Sequence, residues 1–298
     1  MSPTTVRHER TEQERIDDER IVRRFCGDSQ FEYIDSGWTS RVYLVGNGAT
    51  VFKFPRDTAA RRESRNEVAA LRVCEGFTAS ARTPRVLALG PDDSFVVTRG
   101  VVGETLDTRL FDLDKTALAS LGSALGTFLT RLHACELDGT AAMDLAAEMR
   151  EFHEKFELAR PTLEMHFAVT EMSTIREFVF EEYPMALRAL DGEPRLCHGD
   201  LGPWNMILTP TGELGIIDFG DVSYRDPSID FAGVRNATLV SSALDAYGAD
   251  SRFRASVDMR SRAFQVADVP FYVGLGNAAG LAACLQSVRE SIVQRPAS

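Results

Sequence analysis

Two carboxylates and one amide between residues 196 and 221 have the types and spacing that phosphate chemistry needs. Asp200 is followed five residues later by Asn205, and Asp218 stands in the segment Ile-Asp-Phe-Gly-Asp. Carboxylate and amide oxygens are suitable ligands for Mg²⁺ on the phosphates of a nucleotide. A further carboxylate can face the hydroxyl that attacks the phosphorus. The pattern therefore predicts phosphoryl transfer, although each residue taken alone is typical of a turn or a helix cap.

A β-hairpin is the element that must bring these three side chains together. The apolar runs Met206–Leu208 and Leu214–Ile217 are separated by Thr-Pro-Thr-Gly, which is a strong turn signal. Asp200 lies just before the hairpin, Asn205 begins its first strand, and Asp218 ends its second. We therefore expect the three side chains to share one edge of the hairpin.

Lys53 lies inside an apolar strand, between Phe52 and Phe54. A lysine buried there is unfavourable unless an acid pairs with it, and Glu67 is the expected partner. A paired lysine over the α- and β-phosphates is the arrangement that kinases use. The alternative is an edge-strand lysine whose ammonium group reaches water.

The N-terminal pattern predicts a sheet with a loop that could fold over phosphates. Ser36, Thr39 and Ser40 in the first connection offer hydroxyl and backbone donors, although a plain hairpin loop would look the same. The five predicted strands are Tyr33–Ile34, Val42–Val45, Val51–Phe54, Pro84–Leu89 and Phe95–Thr98.

Most of the remaining chain has the periodicity of helices. The segment 12–25 is interpreted as a solvated capping helix, and the segment 141–190 as helical with breaks at Pro161 and Pro184. Further helices are predicted at 59–73, 116–133, 264–269 and 271–284.

Together these motifs resemble the aminoglycoside phosphotransferase and choline kinase superfamily, over roughly residues 30 to 285. The stretch VFKFPRDTAARRESRNEVAAL is similar to the aminoglycoside 2''-phosphotransferase branch, including the spacing from Lys53 to Glu67. The resemblance implies an α+β, protein-kinase-like fold with two lobes. One lobe would hold a five-stranded antiparallel sheet with one helix, and the other would be mostly helical and carry the catalytic hairpin.

The resemblance also sets the expected boundaries of the lobes. The nucleotide-binding lobe is expected at residues 1–98, with residues 1–10 frayed, and the helical lobe with the acceptor site at 105–298. The linker between them is expected at 99–104.

Individual roles follow from the same resemblance. It implies that Asp200 is the catalytic base and that Asn205 and Asp218 ligate magnesium. Lys53, held by Glu67, would bind the α- and β-phosphates of ATP or GTP.

The resemblance further implies that the linker holds the purine. The backbone at Arg99 and Val101 would contact the purine edge, and Thr98 would sit behind the base. Thr98 is small where many 2''-phosphotransferases carry a bulky aromatic residue, which favours ATP without excluding GTP.

Other polar residues near the hairpin are expected to support the site or to border the acceptor. In kinase-like folds an acid after the hairpin ties down the catalytic loop, so Asp226 and Asp230 are predicted supports, and His198 is interpreted in the same way. The candidates for the acceptor site are Trp204, Tyr224, Glu148 and Glu151. For each of these four, packing or a solvated helix face is an equal alternative.

The amino-acid composition indicates which kinds of binding partner and which cellular compartment suit the protein. The 298 residues carry a net charge of -11, which disfavours nucleic acid and anionic membrane surfaces and favours a cationic small substrate. The five cysteines are scattered and form no Cys-x-x-Cys pair, which is typical of a reducing cytoplasm. We see no secretory signal and no apolar run that could span a bilayer, so we expect a cytoplasmic protein.

The expected function is therefore O-phosphorylation of a small molecule with ATP or GTP and Mg²⁺, without an obligate protein partner. The acidic balance favours a polycationic aminoglycoside as the acceptor, and with it antibiotic resistance. A nucleoside or macrolide antibiotic and a metabolite alcohol stay open as acceptors. A non-catalytic nucleotide-binding protein is the alternative of another class. A protein kinase is disfavoured because no lysine stands two residues after Asp200 and no Ala-Pro-Glu follows the hairpin.

Overall fold

The computed structural model describes residues 10–35, 39–77, 80–142, 144–190 and 192–294. Its N-terminal part is a five-stranded sheet with the strand order β1-β2-β3-β5-β4, in which all neighbours are antiparallel. The predicted sheet is therefore confirmed. The elements are α1 Glu12–Cys26, β1 Phe31–Ile34, β2 Ser40–Val45, β3 Thr50–Pro55, α2 Thr58–Cys74, β4 Arg85–Leu89 and β5 Val96–Arg99.

The two faces of this sheet have different roles. Residues directly opposite each other on paired strands share a face, so Val42 lies on the same face as Lys53, and Thr98 lies there beside Val51. The opposite face is apolar and packs under α1, whose buried Val22 contributes to the core there. The strands thus present Lys53 on one side and are closed by α1 on the other.

The C-terminal part is mostly helical and contains two small sheets. Strand β8 pairs with both β6 and β9, and β7 pairs with β10. The elements are β6 Glu104–Thr105, α3 Leu106–Arg109, α4 Lys115–Leu132, α5 Leu145–His166, α6 Val169–Glu177, α7 Tyr183–Arg188, β7 Arg195–Cys197, β8 Met206–Leu208, β9 Leu214–Ile216, β10 Ser223–Arg225, α8 Ile229–Ala232, α9 Ala237–Tyr247, α10 Ser251–Ala267, α11 Val269–Gly274 and α12 Ala278–Val288. The predicted hairpin is β8–β9, with Leu208 opposite Leu214.

Helices α4 and α9 pack closely against each other at two glycines of α4. A Cβ atom on Gly122 would lie 2.3 Å from the Leu239 carbonyl oxygen, and one on Gly126 would lie 2.1 Å from the Ala243 oxygen. Glycine at these two positions therefore lets the helix backbones touch. The pair belongs to the core cluster that also includes Phe219, next to the end of the hairpin.

The helix boundaries predicted at Pro161 and over 271–284 are wrong, and the helix predicted at 264–269 is mostly part of α10, Ser251–Ala267. Pro161 does not break the helix, because α5 continues through it and buries Phe156 and Leu163 on either side. The segment 271–284 is not one helix: α11 ends at Gly274, and Gly276 has a φ of 62°, which right-handed helix excludes. Among the described residues, no helix combines the length and apolar character needed to cross a membrane.

Candidate active site

The loop that carries Asp200 runs from β7 to β8, the first strand of the hairpin. After Asp200 the chain makes a short helical turn at Pro203–Asn205, in which the Asn205 N–H donates to the Gly202 carbonyl over 2.9 Å. The Asn205 Nδ2 donates to the Asp200 backbone oxygen over 2.8 Å and to its Oδ2 over 3.0 Å. The amide of Asn205 therefore fixes the orientation of the Asp200 carboxylate.

Lys53 connects the N-terminal sheet to the end of the hairpin. Its Nζ lies 2.6 Å from Glu67 Oε1 on α2 and 2.9 Å from Asp218 Oδ1 after β9. The predicted pairing of Lys53 with Glu67 is confirmed, while the role of the pair at a nucleotide stays a prediction. Burial alone would lower the pKa of Lys53, but the carboxylates of Asp218 and Glu67 outweigh it and raise that pKa.

Asp218 stands in an uncommon backbone conformation. Its φ is 65°, in the left-handed region that few residues other than glycine, asparagine and aspartate adopt. The conformation ends β9 and places the carboxylate against Lys53. The lysine in turn holds the pKa of Asp218 below its usual value, so the carboxylate is ionised at neutral pH.

Asp230 accepts two hydrogen bonds from the start of the loop that carries Asp200. Its Oδ2 accepts from the His198 backbone N–H over 2.8 Å, and its Oδ1 accepts from the Gly199 N–H over 2.9 Å. His133 Nε2 lies 3.0 Å from the same carboxylate and Tyr247 caps the other ring nitrogen at 2.9 Å. All of these groups support the loop that carries the proposed base.

The His198 ring joins the loop to the hairpin. Its Nε2 lies 2.9 Å from the Ile217 carbonyl oxygen, and its Nδ1 lies 3.4 Å from the Asp200 N–H. The Nε2–H tautomer satisfies both contacts, because Nε2 then donates and Nδ1 accepts. The ring is fully buried, which fits a supporting position better than contact with a substrate.

The residues predicted to surround a nucleotide lie along the Lys53 side of the sheet and the linker. Thr98 is buried, Ser40 is buried at the start of β2, and the Thr39 carbonyl accepts from the Arg56 N–H over 2.9 Å. Arg99 ends β5 and Val101 packs beside the hairpin. The predicted phosphate contact at Ser36 lies outside the described residues.

A comparison with protein families decides the class of the molecule. The model of the phosphotransferase enzyme family matches residues 30–264. The chain belongs to this family. A search of curated proteins finds no sequence match. The suspected superfamily is thereby confirmed, and this phosphotransferase is an enzyme of the kind that the sequence motifs predicted.

Solved structures confirm the kinase-like fold of the phosphotransferase. The GDP and kanamycin complex of an aminoglycoside 2''-phosphotransferase has a TM-score of 0.72 at 20% identity, covering 93% of this chain and 98% of that chain. A choline/ethanolamine kinase family protein from Mesorhizobium loti has a TM-score of 0.65 at 18% identity, covering 94% and 96%. A macrolide 2'-phosphotransferase from Brachybacterium faecium has a TM-score of 0.60 at 15% identity, covering 95% and 99%.

The predicted acceptor residues of the phosphotransferase occupy different surroundings. Trp204 is partly exposed, and the Arg235 guanidinium lies 5.3 Å from the centre of its ring. The Tyr224 hydroxyl accepts from the Leu137 N–H over 2.7 Å. Glu151 forms an ion pair of 2.9 Å with Lys155. The role of these side chains at an acceptor stays a prediction.

Glu148 lies against a buried arginine that the sequence analysis did not single out. Arg260 on α10 is 1% exposed, forms an ion pair with Glu148, and donates from Nε to the Ser228 hydroxyl over 2.7 Å. Ser228 in turn donates from its backbone N–H to Asp226 Oδ1 over 3.0 Å. Asp226 therefore belongs to a buried polar group that links α5 and α10 to the segment before Asp230.

Asp221 is the second residue that the sequence analysis missed. Partial removal of water by the surrounding protein is the main reason that the pKa of Asp200 rises to about 6, and the charge of Asp221 is the next. The sequence could have indicated this residue, since Asp221 is the last residue of the segment Ile-Asp-Phe-Gly-Asp that contains Asp218. The site therefore concentrates negative charge on the side where the proposed base stands.

Proposed function

We propose that this phosphotransferase moves the γ-phosphoryl group of ATP or GTP to a hydroxyl of an aminoglycoside antibiotic. The observation that carries the proposal is the convergence of Glu67, Lys53 and Asp218 at the end of the hairpin that also positions Asp200 through Asn205. A structurally similar protein binds GDP and kanamycin, and the net charge of -11 suits a polycationic acceptor.

The oxygen donors of Asn205 and Asp218 fit magnesium. Asn205 donates from Nδ2 to Asp200, which leaves its Oδ1 as the possible ligand atom. Asp218 uses Oδ1 for Lys53, which leaves Oδ2. Hard oxygen ligands of this kind are the ones that Mg²⁺ selects. Bound there, the ion would neutralise charge on the phosphates during transfer.

The proposed reaction assigns each step to one side chain. Lys53 binds the α- and β-phosphates, and Glu67 keeps its ammonium group in place. Asp200 accepts the proton of the acceptor hydroxyl as that oxygen forms a bond to the γ-phosphorus. The bond from the γ-phosphorus to the bridging oxygen breaks, and the nucleoside diphosphate leaves. Asn205 holds the Asp200 carboxylate in the orientation that this proton transfer needs.

A screen of acceptors tests the proposal. The protein is incubated with Mg²⁺ and either ATP or GTP, together with kanamycin, gentamicin, a macrolide, a nucleoside antibiotic or choline. We expect an aminoglycoside to gain the mass of one phosphoryl group, and Asp200→Ala to abolish the gain. Phosphate on another compound would reassign the acceptor class. Nucleotide binding without any phosphorylated product would favour a non-catalytic nucleotide-binding protein.

A further inference from the structure

A buried ion pair ties α1 to the second strand of the sheet. Arg41 on β2 donates from Nε to Asp18 Oδ2 over 2.7 Å and from Nη2 to Asp18 Oδ1 over 3.1 Å. Its Nη1 donates to Glu14 Oε1 over 3.0 Å. Arg41 and Asp18 are 7% and 4% exposed, so this two-point contact is shielded from water.

Further polar contacts extend this attachment toward β1. Arg10 donates from Nη1 to the Tyr43 hydroxyl over 2.8 Å, and its guanidinium lies 3.7 Å from the centre of the Tyr33 ring. The Tyr43 hydroxyl lies 3.5 Å from Asp18 Oδ2. Arg10 and α1 thus contact β1 and β2 through hydrogen bonds and a cation–π contact.

Helix α1 contacts β2, and the first residue of this strand, Ser40, is one of the residues predicted to contact the phosphates of the nucleotide. Ser40 and Arg41 are consecutive on β2, and neighbouring residues of a strand point to opposite faces. Ser40 lies opposite Pro55, on the face of Lys53, while Arg41 lies opposite Phe54, on the face of α1. A shift of Arg41 would therefore move Ser40 on the other side of the sheet.

Covering the sheet does not by itself require charged groups. Replacing a buried ion pair by apolar residues is often neutral or stabilising, so burial alone does not explain why Arg41 and Asp18 stand there. The ion pair adds a geometric constraint. A bidentate guanidinium–carboxylate contact fixes both the distance and the orientation of Arg41 relative to α1.

We propose that Arg41, held by Asp18 and Glu14 of α1, is a positioning residue for the phosphate-binding start of β2. The inference rests on the proposed function, because it assigns Thr39 and Ser40 to the nucleotide. On this account α1 is part of the support of the nucleotide site, and not only a solvated capping helix.

Two matched substitutions on α1 test the inference. Asp18→Asn keeps the shape of the side chain but removes the charge that holds Arg41. Asp17→Asn is the control, since the Asp17 side chain is 47% exposed and, among the described residues, contacts Gln13 and Arg20 of its own helix. We expect the Kd for Mg²⁺-ATP or Mg²⁺-GTP, measured by calorimetry, to rise about tenfold in Asp18→Asn and to stay unchanged in Asp17→Asn.

The outcomes separate positioning from stability and from the proposed function. Both variants are measured well below their Tm, and Glu14→Gln replaces Asp18→Asn if that protein does not fold, with an expected rise of about threefold. A lower Tm with an unchanged nucleotide Kd would overturn the inference. Failure of the wild-type protein to bind either nucleotide would instead contradict the proposed function.

Discussion

Asp200 is the residue whose surroundings most directly determine its chemistry. Partial desolvation and the nearby charge of Asp221 both disfavour the ionised carboxylate, and together they raise the pKa of Asp200 to about 6. A base with a pKa close to the working pH combines sufficient ionisation with a strong tendency to accept a proton. The same surroundings make the charged form unfavourable for the folded state.

The pH dependence of turnover follows from this pKa. Because the base acts when deprotonated, kcat/KM should fall as the pH decreases through about 6 and should level off at higher pH. Steady-state rates at fixed ionic strength measure the acid limb. A profile that is flat down to about pH 4.5 would show that Asp200 is not the titrating base.

The stability of the protein should respond to Asp200 in the opposite sense. Its folded-state pKa lies above the ordinary 3.8, so its contribution to stability is present below that value and is lost as the pH rises through about 6. Asp200→Asn should therefore raise the Tm at neutral pH, by no more than about 2–4 °C since the side chain is partly solvated.

Calorimetry at two pH values checks this expectation. The difference in Tm between Asp200→Asn and the wild-type protein should shrink toward zero near pH 4, where the wild-type carboxylate is protonated. A variant that melts below the wild type at neutral pH would contradict the electrostatic description of the site.

At the scale of residues, sequence reasoning succeeded where a partner was near or the environment was informative. Lys53 inside an apolar strand needed an acidic partner, and Glu67 lies in α2, the helix that directly follows that strand. Arg41 and Arg260 were missed because their partners, Asp18 and Glu148, are 23 and 112 residues distant. Such pairs depend on how elements pack, which periodicity does not specify.

At the scale of elements, Asp230 on α8 fixes the loop that carries Asp200 by accepting two of its backbone hydrogen bonds. Burial alone would raise the pKa of Asp230, but hydrogen bonds from His133 and the Gly199 amide hold it below its usual value. This contribution to stability is present above the unfolded-state pKa and is lost as the pH falls through the folded-state value.

Asp230→Asn should destabilise the protein by about 2–5 kcal/mol, because an amide NH₂ would then face one of the donors around a fully buried site. Urea denaturation measures the free energy of unfolding. Asp245→Asn is the control, since its ion pair with Arg254 is exposed and should contribute less than about 1 kcal/mol. If the two substitutions lowered the free energy of unfolding equally, the proposed supporting role of Asp230 would be wrong.

The contact between α4 and α9 gives a second prediction for elements. Gly126→Ala should destabilise the protein by about 1–3 kcal/mol, although alanine favours helix, because the new Cβ would meet the Ala243 backbone. A Cβ atom on Gly274 would meet no neighbouring atom of the described residues within 4 Å, so Gly274→Ala should be neutral or slightly stabilising. Thermal melts measure the stability of both variants. A Tm of Gly126→Ala above that of the wild-type protein would contradict the close packing of α4 against α9.

The elements themselves were more predictable than their ends. The hairpin and the five strands follow from apolar runs and turn residues, and the structure contains them. The proline rule failed at Pro161, because burial of Phe156 and Leu163 along α5 favours continuous helix. The single helix predicted over 271–284 is interrupted, because Gly276 supplies a positive φ between α11 and α12.

At the scale of the whole molecule, the proposed site lies where the N-terminal sheet meets the β8–β9 hairpin. Lys53 contributes from the sheet, Asp218 from the hairpin, and Glu67 from the helix between β3 and β4. The fold and the reaction class could therefore be predicted from local motifs. The acceptor could not, since proteins of the same fold include a kanamycin complex, a macrolide phosphotransferase and a choline/ethanolamine kinase family member.

The most direct test of the central claim is a single-turnover measurement of phosphoryl transfer to the acceptor found in the screen. Asp200→Asn should lower the rate by about a hundredfold to ten-thousandfold while the Kd of the nucleotide stays within about twofold. The surface variant Asp245→Asn should react like the wild type. A rate within about tenfold of the wild type in Asp200→Asn would contradict the assignment of this carboxylate as the base.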